Sequence, residues 1–222
     1  MSGKRTVLAI DDSAAMLSII TNYLVNTEFT LVGSARDGAH GVFSVVRLLP
    51  LLLYLLVLAT KAGDGRSLDG LDLLDVGCGS GILALAGLKL GVKRAVAVDL
   101  DHRAIITSRA NAELNHVEQQ LLLVRGSTEA VDGSFDMVLA NLPTQVLREK
   151  LPELLRLSRS GGSLVISGFQ DLDRYVLEKE MIREGLSANR WLSEDLVFFG
   201  DPPTGSFTWM AVLAQRREGH KA

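Results

Sequence analysis

Residues 71–81 read Leu71-Asp72-Leu73-Leu74-Asp75-Val76-Gly77-Cys78-Gly79-Ser80-Gly81. A short apolar run ends in three alternate glycines. Residues 82–90 (Ile-Leu-Ala-Leu-Ala-Gly-Leu-Lys-Leu) follow as a helix, with Gly91 placed to close it. An apolar run of this length, bounded by turn formers, reads as a buried strand. Between strand and helix the chain must turn sharply. Glycine permits positive φ there and removes the Cβ that would keep a ligand off the backbone. In an α/β sheet, loops of this kind at the carboxyl end of the first strand hold nucleotide-like cofactors. A glycine triplet alone carries little information; its position between strand and helix gives it meaning.

The elements on the carboxyl side repeat the alternation. Residues 95–98 form a β-rich run ending in Asp99, and 103–114 read as a helix opened by Asp101 as its cap. Strands are predicted at 121–124 and 136–140, then a helix at 145–157 with Pro152 as a kink or break. A turn at 160–162 precedes a strand at 164–167, and a helix at 171–184 ends at Gly185. Two closing strands, 195–199 and 207–214, flank a turn at 200–205. This order predicts an α/β fold: a Rossmann-like, doubly wound, mostly parallel sheet with helices on both faces and an antiparallel strand pair at the C-terminal end. Asp99, at the end of the second strand, is placed to accept hydrogen bonds from both hydroxyls of a ribose.

The spacing separates two cofactor classes. The dinucleotide fingerprint is G-x-G-x-x-G, whereas this chain has G-x-G-x-G with Asp75 two residues before the first glycine. That pattern is similar to the signature of class I S-adenosylmethionine-dependent methyltransferases. Val124-Arg125-Gly126-Ser127-Thr128 stands where that family borders adenine, and Asn141-Leu142-Pro143-Thr144 follows the fourth strand. Within the class, segments 74–89, 97–115, 135–141, 160–168 and 209–215 resemble the ribosomal-protein methyltransferases that modify the large-subunit stalk-base protein. The resemblance implies S-adenosylmethionine as cofactor, held by Asp75, Gly77, Cys78, Gly79, Gly81, Asp99, Ser127, Thr128 and Asn141. It implies a protein substrate, a ribosomal protein, methylated on amino groups, with Asn141, Leu142 and Pro143 as the catalytic loop. That family carries a small recognition domain and a Gly-Thr-Gly segment before its glycine loop; neither is found in this sequence. Asn141-Leu142-Pro143 also stands partway toward the Asn-Pro-Pro loop of methyltransferases acting on glutamine or nucleobases. Cys78 has no histidine near it in sequence and reads as a small filler rather than a nucleophile.

Two regions divide the chain: residues 1–63, and a cofactor-binding methyltransferase domain at 68–217, joined through the turn-forming Ala62-Gly63-Asp64-Gly65-Arg66-Ser67. In the first, Val7-Leu8-Ala9-Ile10-Asp11-Asp12-Ser13 resembles the start of a response-regulator receiver, whose acidic pair binds Mg²⁺ beside a phosphorylated aspartate. The stretch expected to be the phosphoacceptor strand, residues 51–59, contains no aspartate. The segment is therefore read as a degenerate receiver-like piece serving structure or docking. The apolar run at 48–59 is shorter than the roughly 20 residues a membrane helix needs and contains Pro50, so it is read as buried.

Of 222 residues 47% are hydrophobic, enough for a sizeable core. A net charge of −3 exerts no global pull toward nucleic acid or anionic membrane. The single cysteine excludes an internal disulfide and a cysteine zinc cluster, and the four histidines show no metal spacing; a cytoplasmic protein without a metal is expected. Oligomeric state is not encoded in any of these features. Two further functions compete with protein methylation: N-methylation of a nucleobase or small molecule, and a non-catalytic signalling or binding module that keeps the cofactor fold.

Overall fold

The computed structural model describes residues 5–7, 29–31, 68–195 and 208–216. Two short strands, β1 (Arg5–Val7) and β2 (Phe29–Leu31), pair in parallel. The remainder of the receiver-like segment, including Asp11, Asp12 and the 48–59 run, lies outside the described residues.

Seven strands make the main sheet: β3 (Asp72–Val76), β4 (Arg94–Asp99), β5 (Leu121–Arg125), β6 (Phe135–Asn141), β7 (Ser158–Gln170), β8 (Leu186–Asp195) and β9 (Thr208–Arg216). Their order is β5-β4-β3-β6-β7-β9-β8. All pairings from β5 to β7 are parallel; β9 runs antiparallel to both β7 and β8. Among the described residues the α-helices are α1 (Ile82–Lys89), α2 (His102–Leu114), α3 (Thr144–Leu157) and α4 (Arg174–Arg183). The expected doubly wound, mostly parallel sheet with an antiparallel C-terminal pair is what the chain forms.

The apolar strands are buried on both faces, and their side chains alternate between two cores as the two-residue period requires. Leu73, Met137, Leu139 and Val165 pack with Ile82, Leu85 and Ile105 from α1 and α2. Leu74, Val76, Val138, Ala140 and Ile166 pack with Leu147, Leu151, Leu154, Leu177 and Met181 from α3 and α4. Among the described residues, no helix is long and apolar enough to cross a membrane.

Three local expectations are corrected. Pro152, expected as a kink or break, does not break its helix; α3 continues through it to Leu157. Its buried leucines 147, 151, 154 and 155 recur at helical spacing, so packing of that stripe outweighs the missing N–H. The turn at 160–162 lies inside β7 as a bulge: Phe135 faces Ser158 while Met137 already faces Ser163. Glycine suits that bulge, because a Cβ on Gly162 would lie 2.9 Å from the Arg159 carbonyl and 3.0 Å from that of Asp136. The first closing strand begins at Leu186 rather than at Asp195, and 196–199 lie outside the described residues. Ser187, Asn189, Arg190 and Ser193 hid it, since this strand forms the edge of the sheet and half of it faces water.

Candidate active site

The strand order reverses between β3 and β6, which opens a crevice at their carboxyl ends. The glycine loop leaves β3 there, Asp99 ends the neighbouring β4, and Asn141 ends β6. The loop is anchored by two backbone donors, as Gly77 N–H and Cys78 N–H both reach the Val98 carbonyl, at 2.8 and 3.1 Å.

The glycines do different work. Gly77 (φ +71) lies under the Leu142 side chain, and a Cβ there would fall on Leu142 Cδ2. Gly81 (φ +80) lets α2 approach, because a Cβ would stand 2.8 Å from Ser108 Oγ. Gly79 (φ +54) is the open one of the three: among the described residues nothing lies within 4 Å of where its Cβ would be. Asp99 clasps the loop, its Oδ2 accepting from Gly79 N–H and its Oδ1 from Asp101 N–H, each at 2.9 Å. Asp101 also caps α2, accepting from Arg103 N–H at 2.9 Å as the sequence indicated.

Asp75 lies beneath the loop with no solvent exposure. The cap of α1 is Gly81, which has no side chain to offer, and Asp75 Oδ2 instead accepts from Ala84 N–H in the first turn at 3.1 Å. Among the described residues its Oδ1 has no partner. Burial, with a smaller contribution from the Asp99 charge, pushes the carboxyl up to about 7 although the Ala84 bond opposes it. Burial likewise raises the Cys78 thiol to about 12; the thiol lies 3.6 Å from Ser108 Oγ and is a neutral filler at neutral pH.

The other predicted residues gather nearby with different engagement. Gly126 N–H donates to the Asp99 carbonyl at 2.9 Å, which draws the Ser127–Thr128 turn to the end of β4. Thr128 is buried, with its hydroxyl donating to Glu129 at 3.3 Å and its carbonyl accepting from Arg156. Glu129 is held down to about 2 by the Lys150 ammonium and the Ser127 hydroxyl. Both hydroxyls thus turn toward Glu129, and a ligand at this turn would meet mainly backbone. Pro143 is the exposed cap of α3; Thr144 begins the helix and donates to Asp173 Oδ2 at 2.6 Å. Leu142 N–H donates to the Ser167 carbonyl at 3.1 Å, and Asn141 Oδ1 accepts from Ser167 Oγ at 3.1 Å.

Sequence reading missed the scaffold. Ser108 Oγ donates to the Gly79 carbonyl and Asn111 Nδ2 to the Ser80 carbonyl, both at 2.9 Å, so one face of α2 holds the loop from behind. The signal was present: Ser108, Asn111 and Asn115 are polar at helical spacing on a face otherwise apolar, and all three are buried. Ser167 and Gly168, at the end of β7, were also missed as partners of the Asn141 loop.

These residues fit S-adenosylmethionine. The cofactor brings an ammonium, a ribose diol and a methionine chain. The site offers an unpartnered buried acceptor on Asp75, a carboxylate at Asp99, and an open backbone at Gly79.

The sequence profile of the ribosomal protein L11 methyltransferase (PrmA) family matches residues 57–194. The ribosomal protein L11 methyltransferase of Photobacterium profundum is 38% identical over 133 residues, covering 58% of this chain and 45% of that protein. The chain thus spans less than half the length of that curated relative. The crystal structure of a ribosomal protein L11 methylase from Lactobacillus delbrueckii subsp. bulgaricus superposes with a TM-score of 0.60 at 26% identity, covering 74% of this chain and 80% of that one. The magnesium protoporphyrin IX methyltransferase of Synechocystis PCC 6803, solved with bound S-adenosylmethionine, shares the fold at 16% identity, with a TM-score of 0.61 and coverage of 93% and 99%.

Proposed function

This chain belongs to the ribosomal protein L11 methyltransferase family, and on that footing we propose that it transfers methyl groups from S-adenosylmethionine to amino groups of a protein, with a ribosomal protein as the substrate class. The observation that carries this reading is Leu142 packed over Gly77. It joins the expected acceptor loop to the expected cofactor loop at the crevice where the sheet reverses. In this reading residues 68–217 form the catalytic domain, and the work is done in the cytoplasm, where ribosomal proteins are found.

When bound, S-adenosylmethionine supplies a methyl group already activated by its sulfonium. Asp75 Oδ1 and the glycine-loop backbone hold the methionine end, and Asp99 holds the ribose. An amine must present its lone pair to the methyl carbon while its N–H groups are held elsewhere, which calls for acceptors. The Leu142 carbonyl and the remaining lone pair of Asn141 Oδ1 serve as those acceptors; Pro143 stiffens the loop that carries them. Residues 141–145 contain no lysine or arginine to compete with the incoming amine. Rate enhancement in such a site comes from positioning.

The test is transfer of tritiated methyl from S-adenosylmethionine to purified ribosomal protein L11, alongside calorimetric titration with S-adenosylmethionine and S-adenosylhomocysteine. Label in L11 that acid hydrolysis locates on amino nitrogens supports the reading. Binding of NADH without binding of either methionine cofactor overturns it, as does label confined to nucleic acid.

A further inference from the structure

The Asn141 loop does not stand alone; its placement is set from the neighbouring strand. Ser167 is fully buried, and its hydroxyl donates to Asn141 Oδ1 at 3.1 Å. The Ser167 carbonyl accepts from Leu142 N–H, also at 3.1 Å. One residue thus grips the side chain of Asn141 and the backbone of the residue after it. The parallel register puts Asn141 directly beside Ser167.

Gly168 follows, with φ +92 and the register slip between β7 and β9 at this point. A Cβ on it would lie 2.7 Å from Asn141 Oδ1, 2.7 Å from the Leu142 carbonyl oxygen and 2.9 Å from the Leu142 nitrogen. Both oxygens therefore pack against the Gly168 backbone more closely than any side chain would allow. Any side chain there would push against the two atoms that the proposed chemistry needs.

The amide orientation follows from the same contacts. Asn141 Oδ1 is approached by the Ser167 hydroxyl and by the Gly168 Cα–H; an oxygen accepts from both, whereas an NH₂ group would clash with the second. The amide can then no longer rotate freely about its last torsion, a torsion that is otherwise broad.

We propose that Ser167 and Gly168 are positioning residues of the methyl-transfer site: Ser167 locks the Asn141 amide and the Leu142 backbone, and Gly168 lets the loop that carries their two oxygens pack at this close distance. This rests on the proposed amine chemistry for its effect on turnover, but the lock itself is a property of the chain alone.

The experiment uses the full chain and reads both. Ser167→Ala, Ser167→Thr and Gly168→Ala are compared with wild type for the Asn141 side-chain NH₂ resonances in a ¹⁵N correlation spectrum, assigned by their loss in Asn141→Asp. The same proteins are assayed for thermal midpoint, S-adenosylmethionine affinity, and kcat and KM on ribosomal protein L11. Ser167→Ala is expected to collapse the two Asn141 amide protons toward free-amide shifts and to lower kcat roughly tenfold, the scale of one lost hydrogen bond, with cofactor affinity unchanged. Ser167→Thr, which keeps the hydroxyl, recovers the amide shifts and most of the loss. Gly168→Ala lowers kcat further, because its Cβ displaces both oxygens. Unchanged Asn141 resonances in Ser167→Ala overturn the lock. Wild-type kcat with altered resonances overturns the catalytic role, as does a loss that tracks the thermal midpoint or cofactor affinity. A wild-type protein that labels no amine removes the functional reading and with it the role in turnover, while the resonances still decide the lock.

Discussion

Replacing Asp75 by asparagine tests the buried carboxyl under the glycine loop. In the fold this group holds its proton until about pH 7, against an ordinary value of 3.8, with burial as the main cause. The unfolded chain releases the same proton near 3.8. Between those values the native state binds more protons than the unfolded state, so stability falls as pH rises. The contribution is fully present below 3.8 and is lost as pH climbs through about 7. At about 1.4 kcal/mol per tenfold in proton activity, raising the pH from 5 to 8.5 weakens the wild type by roughly 3 kcal/mol through this group, as an upper bound. Asparagine does not ionise and keeps an oxygen for Ala84 N–H. The variant is expected to be less stable than wild type at pH 5, because its NH₂ takes the place of the unpartnered Oδ1 in a dry site. It should gain on the wild type by about 2–3 kcal/mol by pH 8.5. Urea unfolding followed by circular dichroism, at fixed ionic strength and several pH values, measures the gap. A constant gap across that range would refute the reasoning: Asp75 would then titrate alike in both states, and its burial would not govern its ionisation.

Three further outcomes follow from the site geometry. Gly81→Ala places a methyl 2.8 Å from Ser108 Oγ at a positive φ, and is expected to cost about 1–3 kcal/mol in urea unfolding; an unchanged midpoint would show that α2 does not need the close approach. Asp99→Ala frees the Gly79 and Asp101 N–H groups and should weaken S-adenosylmethionine binding by roughly 1.5–3 kcal/mol by calorimetry; wild-type affinity would remove Asp99 from the cofactor site. Asn141→Ala is expected to lower turnover on ribosomal protein L11 about 10²-fold with little change in cofactor affinity; loss of cofactor binding alone would place Asn141 on the wrong side of the reaction.

Local chemistry was enough to read much of this chain. The glycine loop, the alternation of apolar runs with helical stripes, and the Asp101 cap are short-range signals, because strand, turn and helix start each depend on a few neighbouring residues. The doubly wound class followed from their order. The edge strand Leu186–Asp195 was misplaced because an edge faces water on one side and carries little apolar signal. The bulge at Gly161–Gly162 looked like a turn because the same glycines serve both, and only the partner strand decides which. Asp75 could be named from the G-x-G-x-G pattern. Its perturbed carboxyl could not, since that depends on α1, β4 and the removal of water around it. The support of the site lies furthest from the sequence. Ser108 stands 29 residues from Gly79, and Ser167 stands 26 from Asn141. Helix packing and parallel register alone bring them within hydrogen-bond reach, because a parallel sheet joins residues that the chain separates by a whole crossover.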